Sequence, residues 1–278
     1  MAEVRLPTFS GEGARVFIYR LLSAAVLIPI TAWMVCAGGL WFLVTIAVVA
    51  GLAGYEFCRI MQIGGYKPAP LFSLALVMLF LVDAHYPAWE IGPLGLTAVI
   101  VLSLIWQLFQ RDSLAPTVDW SLTIVGGLYV GWMARHFIAL RDGPQGLEWT
   151  VLAVLITWAG DTGAYTIGRW LGRHKFWPRL SPGKTWEGTV GGWLCGIAAG
   201  AFLGWAVGFG LAHGLAVGAL VAFISPFGDL GISMMKRHVG VKDSWNIIPG
   251  HGGFLDRIDS LLFSVVIVYY YAHWVVGI

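Results

Sequence analysis

Apolar runs of about 20 residues, separated by short polar breaks, recur along most of the 278-residue chain, and no other feature constrains the fold as strongly. A hydrocarbon layer of about 30 Å takes roughly 20 apolar helical residues to cross. Without water there, backbone polar groups must be satisfied within the segment, so such runs predict helices. Only 12% of the residues are charged and 58% are hydrophobic, against roughly 25% charged in a soluble domain; a water-facing surface cannot be built from that. Spans are predicted near residues 16–36, 40–60, 70–88, 91–109, 118–140, 150–168, 187–208, 212–235 and 257–277. The fold class is therefore an all-α polytopic membrane protein with about nine transmembrane helices. The third span, interrupted by Asp83, His85 and Pro87, is expected to be short or re-entrant.

The Lys and Arg residues test this count, because cytoplasmic loops hold their excess. With the N-terminus inside, all but Arg135 and Arg141 of the 17 basic residues fall on one side. They include Arg5, Arg15 and Arg20 before the first span, Arg59 and Lys67, Arg111, a group from Arg169 to Lys184, and a group from Lys236 to Arg257. Nine spans then leave the C-terminus on the opposite side. The apolar run ending at Cys36-Ala37-Gly38 imitates a cleavable signal. It exceeds the usual core of roughly 7–15 residues, so an uncleaved first span is expected. Cys36, Cys58 and Cys195 form no CxxC pair and read as packing residues. The expected setting is the cell (inner) membrane, with membrane lipids as surroundings and no nucleic-acid partner.

The chain reads as a single membrane-embedded unit, residues 1–278, whose character changes along its length. Residues 1–150 are mainly scaffold spans, whereas 151–278 carry polar motifs and two cytoplasmic loops, 169–187 and 236–257. In the first motif Asp161, Tyr165 and Gly168 share one helical face. An acid inside a span is by default a functional candidate, although Asp161 could equally be a structural acceptor. Gly160, Ala164, Gly168 and Gly172 repeat as a small-residue packing seam.

The second motif, Ser181-Pro-Gly-Lys184-Thr185-Trp-Glu187-Gly188, opens the seventh span. Gly183-Lys184-Thr185 imitates a P-loop, but Pro178 stands where that motif needs a glycine and no strand precedes it. What remains is a lysine, two hydroxyls and free N–H groups at a helix N-terminus. That arrangement suits phosphate or is an ordinary basic loop.

The third motif places Asp229, Ser233, Lys236 and Arg237 on one helix face. A loop with Lys242, Asp243, Pro249 and His251 follows, and Asp256-Arg257-Ile-Asp259 opens the last span. Carboxylates converging in a partly dehydrated site repel one another unless a cation compensates or protons are retained. Oxygen ligands select a hard ion such as Mg²⁺, which uses one or two carboxylates plus phosphate oxygens. A metal beside cationic loops is the equipment of phosphoryl or nucleotidyl transfer. An interfacial snorkelling loop would explain the basic residues but not the acids.

The pattern Ser233-x-x-Lys236-Arg237, Lys242-Asp243, Pro249-x-His251-Gly-Gly-x-x-Asp256-Arg257-x-Asp259 resembles the signature of the phosphatidate cytidylyltransferases, the CDP-diacylglycerol synthases. The motifs around Asp161 and Lys184 also look like those of that family, so the likeness is close over residues 157–277. Trp245 departs from the small residue usual at its position. The resemblance implies transfer of the cytidylyl group of CTP to phosphatidic acid, giving CDP-diacylglycerol and pyrophosphate with Mg²⁺. It leaves room for a second cation such as K⁺ and for a homodimer. Expected catalytic residues are Asp229, Asp256, Asp259, Lys236, Arg237 and Lys242, with Asp229, Asp256 and Asp259 toward the metal. Expected substrate-binding residues are Ser181, Lys184, Thr185, Asp161, Tyr165, His251 and Arg257. The competing reading is an ion-coupled transporter using the intramembrane Asp residues. It predicts carboxylates distributed across the bilayer, whereas the motifs crowd one side.

Overall fold

The computed structural model describes residues 29–242 and 253–278. Residues 29–37 are helical, followed by α1 (Gly39–Ile63), α2 (Pro70–His85) and α3 (Ile91–Leu108). Helix α4 (Pro116–Gly127) runs through a π-helical turn, Leu128–Trp132, into α5 (Met133–Asp142). Then come α6 (Gly146–Leu171), α7 (Trp186–Ala206), α8 (Leu211–His238) and α9 (Leu255–Tyr271). Prolines open α2 and α4, where the missing N–H costs nothing and the fixed φ suits the first turn.

Among the described residues, α1, α3, α7, α8 and the segment Leu255–Val276 are long and apolar enough to cross a membrane. Large apolar side chains such as Leu94, Leu108, Phe202 and Trp205 stand exposed on the outside of the bundle. In water such a surface would aggregate; against lipid it is at home. The chain is an all-α membrane protein. Helix α2 has only 16 residues and stops at His85, just before the Pro87–Trp89 turn, in line with the short third span expected from sequence. The expected first span lies largely outside the described residues, as do Arg5, Arg15 and Arg20.

One element departs from the all-α expectation. Within the loop 169–187, β1 (Lys175–Trp177) pairs antiparallel with β2 (Ser181–Thr185), setting Lys175 opposite Thr185 and Trp177 opposite Ser181. The Glu187 carboxylate closes this hairpin by accepting N–H bonds from Arg173 and His174 at 3.1 and 3.2 Å and pairing with His174 Nδ1 at 2.6 Å. That clip acts across 13 or 14 residues and left no local signal in a stretch rich in Pro and Gly.

Close backbone contact joins α6, α7 and α8. The expected seam on α6 is met by glycines of α7: a Cβ on Gly188 would lie 2.7 Å from the Ala164 carbonyl oxygen, and one on Gly192 2.8 Å from that of Gly160. A second seam joins Gly196, Gly200 and Gly204 of α7 to Ala222, Gly218 and Gly214 of α8. The turn between them uses Gly208 and Gly210 at φ +84° and +89°, which L side chains rarely adopt.

The two ends of the bundle are tied separately. At one, Tyr66 Oη lies 3.3 Å from His238 Nε2, Arg237 Nε donates to the Leu180 carbonyl, and the N–H groups of Phe254 and Leu255 donate to Glu56. At the other, Arg141 donates to the carbonyls of Val35 and Cys36, and Arg135 faces Asp83 at 3.4 Å.

The α7 to α8 seam yields a stability prediction. A Cβ on Gly200 would meet Gly218 Cα at 2.5 Å and the Gly214 oxygen at 2.6 Å, both backbone. Gly200→Val should therefore cost roughly 1–3 kcal/mol and lower the apparent Tm of the detergent-purified protein, whereas Gly183→Ala, with open space around it, should leave Tm unchanged.

Candidate active site

The basic end of α6, α7, α8 and α9 encloses a cleft of about 530 Å³. Helix α6 contributes Asp161, Tyr165 and Arg169, the hairpin and the start of α7 contribute Ser181, Lys184, Thr185 and Thr189, α8 contributes Ser225 and Asp229, and α9 contributes Asp256, Asp259 and Ser260. Three motifs far apart in sequence thus bring polar residues to one cleft. The packing seams explain why: Gly168, Gly188 and Gly192 line the cleft themselves, and any side chain there would fill it or push α6 and α7 apart.

The acids do not stand uncompensated. Lys184 Nζ lies 2.6 Å from Asp229 Oδ2, linking the hairpin to α8. Lys236 Nζ lies 2.6 Å from Asp256 Oδ1, linking α8 to α9. Ser233 Oγ donates to the other Asp229 oxygen at 3.2 Å, and Asp259 Oδ1 accepts the N–H of Ser260 at 2.6 Å. Asp259 is buried and lies in the electrostatic field of Asp229, Asp256 and Asp161. Pro226, one turn before Asp229, cannot donate to the Ala222 carbonyl, and both residues line the cleft.

Other expected residues hold different posts. Thr185 is the N-cap of α7, its hydroxyl accepting the Gly188 N–H at 3.2 Å. Tyr165 lines the cleft and its hydroxyl accepts from Arg169 at 3.1 Å. Lys236 and Arg237, expected as catalytic, both have protein partners: Lys236 is buried against Asp256, and Arg237 donates to the carbonyls of Leu180 and Val241. Lys242 is exposed, as is Arg257, and neither lines the cleft. Asp243, Trp245, Pro249 and His251 lie outside the described residues.

Sequence reasoning passed over Arg169 as a cleft residue, and Thr189, Ser225 and Ser260 altogether. Single hydroxyls inside apolar helices satisfy themselves on the preceding turn, as Thr189 does on the Thr185 carbonyl, so they carry no pattern. It also missed Glu56, although a lone acid in an apolar run is the very signal applied to Asp161.

Asp161, Asp229, Asp256 and Asp259 bring carboxylate oxygens to the cleft, a donor type that suits a hard cation. Among the described residues no three Asp, Glu, His or Cys side chains form a ready metal cage. This is compatible with Mg²⁺, which demands only one or two carboxylates and completes its shell with water and substrate oxygens.

The Lys236 to Asp256 pair separates stability from chemistry. Its groups are 10% and 19% exposed, so Lys236→Met alone should destabilise by about 3 kcal/mol by removing the ammonium that faces a largely buried carboxylate. Lys236→Met combined with Asp256→Leu should recover most of that in apparent Tm while activity stays abolished.

Comparison with known proteins accords with this geometry. The sequence profile of the Cytidylyltransferase family matches residues 18–275. A phosphatidate cytidylyltransferase of Synechocystis sp. is 33% identical, covering 91% of this chain and 95% of its own length. One of Bacillus subtilis is 30% identical over 90% and 96%, and one of Staphylococcus aureus 31% over 88% and 94%. With a match across nearly its whole length, and with Asp161, Lys184, Asp229, Asp256 and Asp259 of the motifs that carry the likeness lining one cleft, the chain belongs to the cytidylyltransferase family.

Proposed function

We propose that the chain transfers the cytidylyl group of CTP to phosphatidic acid, releasing pyrophosphate and leaving CDP-diacylglycerol in the membrane. The observation that carries this reading is the convergence of Asp161, Asp229, Asp256, Asp259 and Lys184 on one cleft, in a chain that matches the family from residue 18 to 275. A transporter pathway would need acids spread along its route. Here the four line a single cleft at the basic end.

A phosphate oxygen of phosphatidic acid forms a bond to the α-phosphorus of CTP. The bond from that phosphorus to the bridging oxygen breaks, and pyrophosphate departs with the electron pair. A phosphomonoester has its second pKa near 6 and is largely dianionic at neutral pH, so the attack needs no protein base. Catalysis then rests on alignment and charge neutralisation. Lys184 and Arg169 at the cleft supply cations for the triphosphate, and the N-terminus of α7 behind Thr185 adds the positive end of a helix dipole. Asp229 and Asp256, from two helices that line the same cleft, are the pair suited to hold Mg²⁺. Asp259 beside them completes the acidic wall. When bound, the ion supplies charge stabilisation to phosphate oxygens. A second cation such as K⁺ fits the same excess of carboxylates. Lys236 acts by holding Asp256 in place.

In this reading the chain is one multi-pass unit of nine spans in the cell (inner) membrane, with N-terminus and cleft cytoplasmic, C-terminus opposite, and residues 151–278 catalytic. Support comes from the one-sided basic residues and from the helices at eight expected spans, with residues 29–37 continuing the first. After replacement of Cys36, Cys58 and Cys195, Gly183→Cys should be labelled by an impermeant thiol reagent only in inside-out vesicles. Labelling in intact cells would reverse the topology.

The activity itself is tested with purified protein, CTP, phosphatidic acid and Mg²⁺, measuring lipid-linked CMP and pyrophosphate; formation of neither overturns the reading. Asp229→Asn and Asp256→Asn keep the shape but remove a charge, and each should lose at least about 100-fold in rate and weaken the Mg²⁺ response. A variant with normal rate and an unchanged Mg²⁺ titration would remove that carboxylate from the metal-binding pair.

A further inference from the structure

We propose that Glu56 is a positioning residue: from α1, in the half of the chain that carries none of the family motifs, it sets the height and rotation of α9 and thereby the places of Asp256 and Asp259. The inference rests on the proposed function only in calling those acids part of an active site.

Glu56 is fully buried. Its Oε1 accepts the N–H of Phe254 at 3.0 Å and its Oε2 that of Leu255 at 2.8 Å. These are the N-cap and first residue of α9, whose N-terminus has no side-chain cap of its own. The first N–H groups of any helix lack partners inside it, and a carboxylate there also meets the positive end of the dipole. The capping group therefore comes from 198 residues away in sequence.

Two oxygens on two successive N–H groups fix direction as well as distance. Asp256 is the next residue and Asp259 follows one turn later. A slip of α9 by one residue would move each by about 1.5 Å along the axis and 100° around it. An error of about 1 Å in a reacting constellation can cost on the order of 100-fold in rate. A mere space-filler at position 56 would be replaceable by an isosteric side chain. Gln is isosteric but accepts with only one of its two terminal atoms, and its NH₂ would face a second donor.

Hydrogen exchange followed by mass spectrometry on the detergent-solubilised wild type, without substrate, gives the first reading. The backbone N–H groups of Phe254 and Leu255 should exchange slowly. Glu56→Gln should speed their exchange at least about 10-fold, lower kcat by roughly 10- to 100-fold and leave KM for CTP within about twofold, since Lys184 and Arg169 are not on α9. These effects should persist well below the apparent Tm. Rapid exchange at 254 and 255 in the wild type overturns the proposal even if Glu56→Gln does not fold. So does Glu56→Gln with wild-type kcat, or with a loss of activity that merely tracks the folded fraction. If the wild type makes no CDP-lipid, the functional reading falls while the exchange arm still decides the role of Glu56 at α9.

Discussion

Everything at the cleft depends on how closely α7 approaches α6 and α8. Within lipid there is little hydrophobic force to drive helices together, so association relies on van der Waals contact and polar bonds, both of which grow as backbones near one another. Gly188 and Gly192 on one side of α7, and Gly200 and Gly204 on the other, remove the side chains that would hold the axes apart. The same contacts set Lys184, just ahead of α7, within 2.6 Å of Asp229 on α8.

Charge balance is the second constraint, and it follows from the first. Close packing in a low-dielectric surround makes each unpaired carboxylate expensive, and the site answers with lysines from neighbouring elements. The pairs Lys184 to Asp229 and Lys236 to Asp256 bridge the hairpin, α8 and α9. They tie the acids to neighbouring elements. Glu56 applies the same logic to backbone N–H groups rather than to an ammonium. The N- and C-terminal halves are thus joined by an electrostatic contact as well as by packing of α9 against α5 and α1.

Much of the fold was legible because its signals are local. Runs of apolar residues announce helices regardless of what packs around them, and α1, α3, α7 and α8 lie within a few residues of their expected positions. The small-residue period on α6 was readable for the same reason. The hairpin was not: its strands are three and five residues long, and the Glu187 clip that closes it joins groups separated by a turn and two prolines. At the site, Asp161, Lys184, Asp229, Asp256 and Asp259 stood out as charges near or within apolar stretches, and the structure places all five on one cleft. Arg237 stood out equally, yet its guanidinium serves two backbone carbonyls. A positive charge in sequence does not say which acceptor it meets.

The sequence by itself determined that this chain lives in lipid, that its helices fall where the apolar runs fall, and that its charged motifs within apolar stretches cluster after residue 157. Those properties follow from transfer energies and helical period, which each segment carries alone. Only the tertiary structure decided that α7 meets α6 and α8 through glycines on both its faces, that each of two acids has its own lysine, and that Glu56 caps α9 from the far half of the chain. The reason is that a partner is a matter of distance. Burial makes pairing obligatory for every charge in the bundle, but which pair forms is settled by how the helices pack.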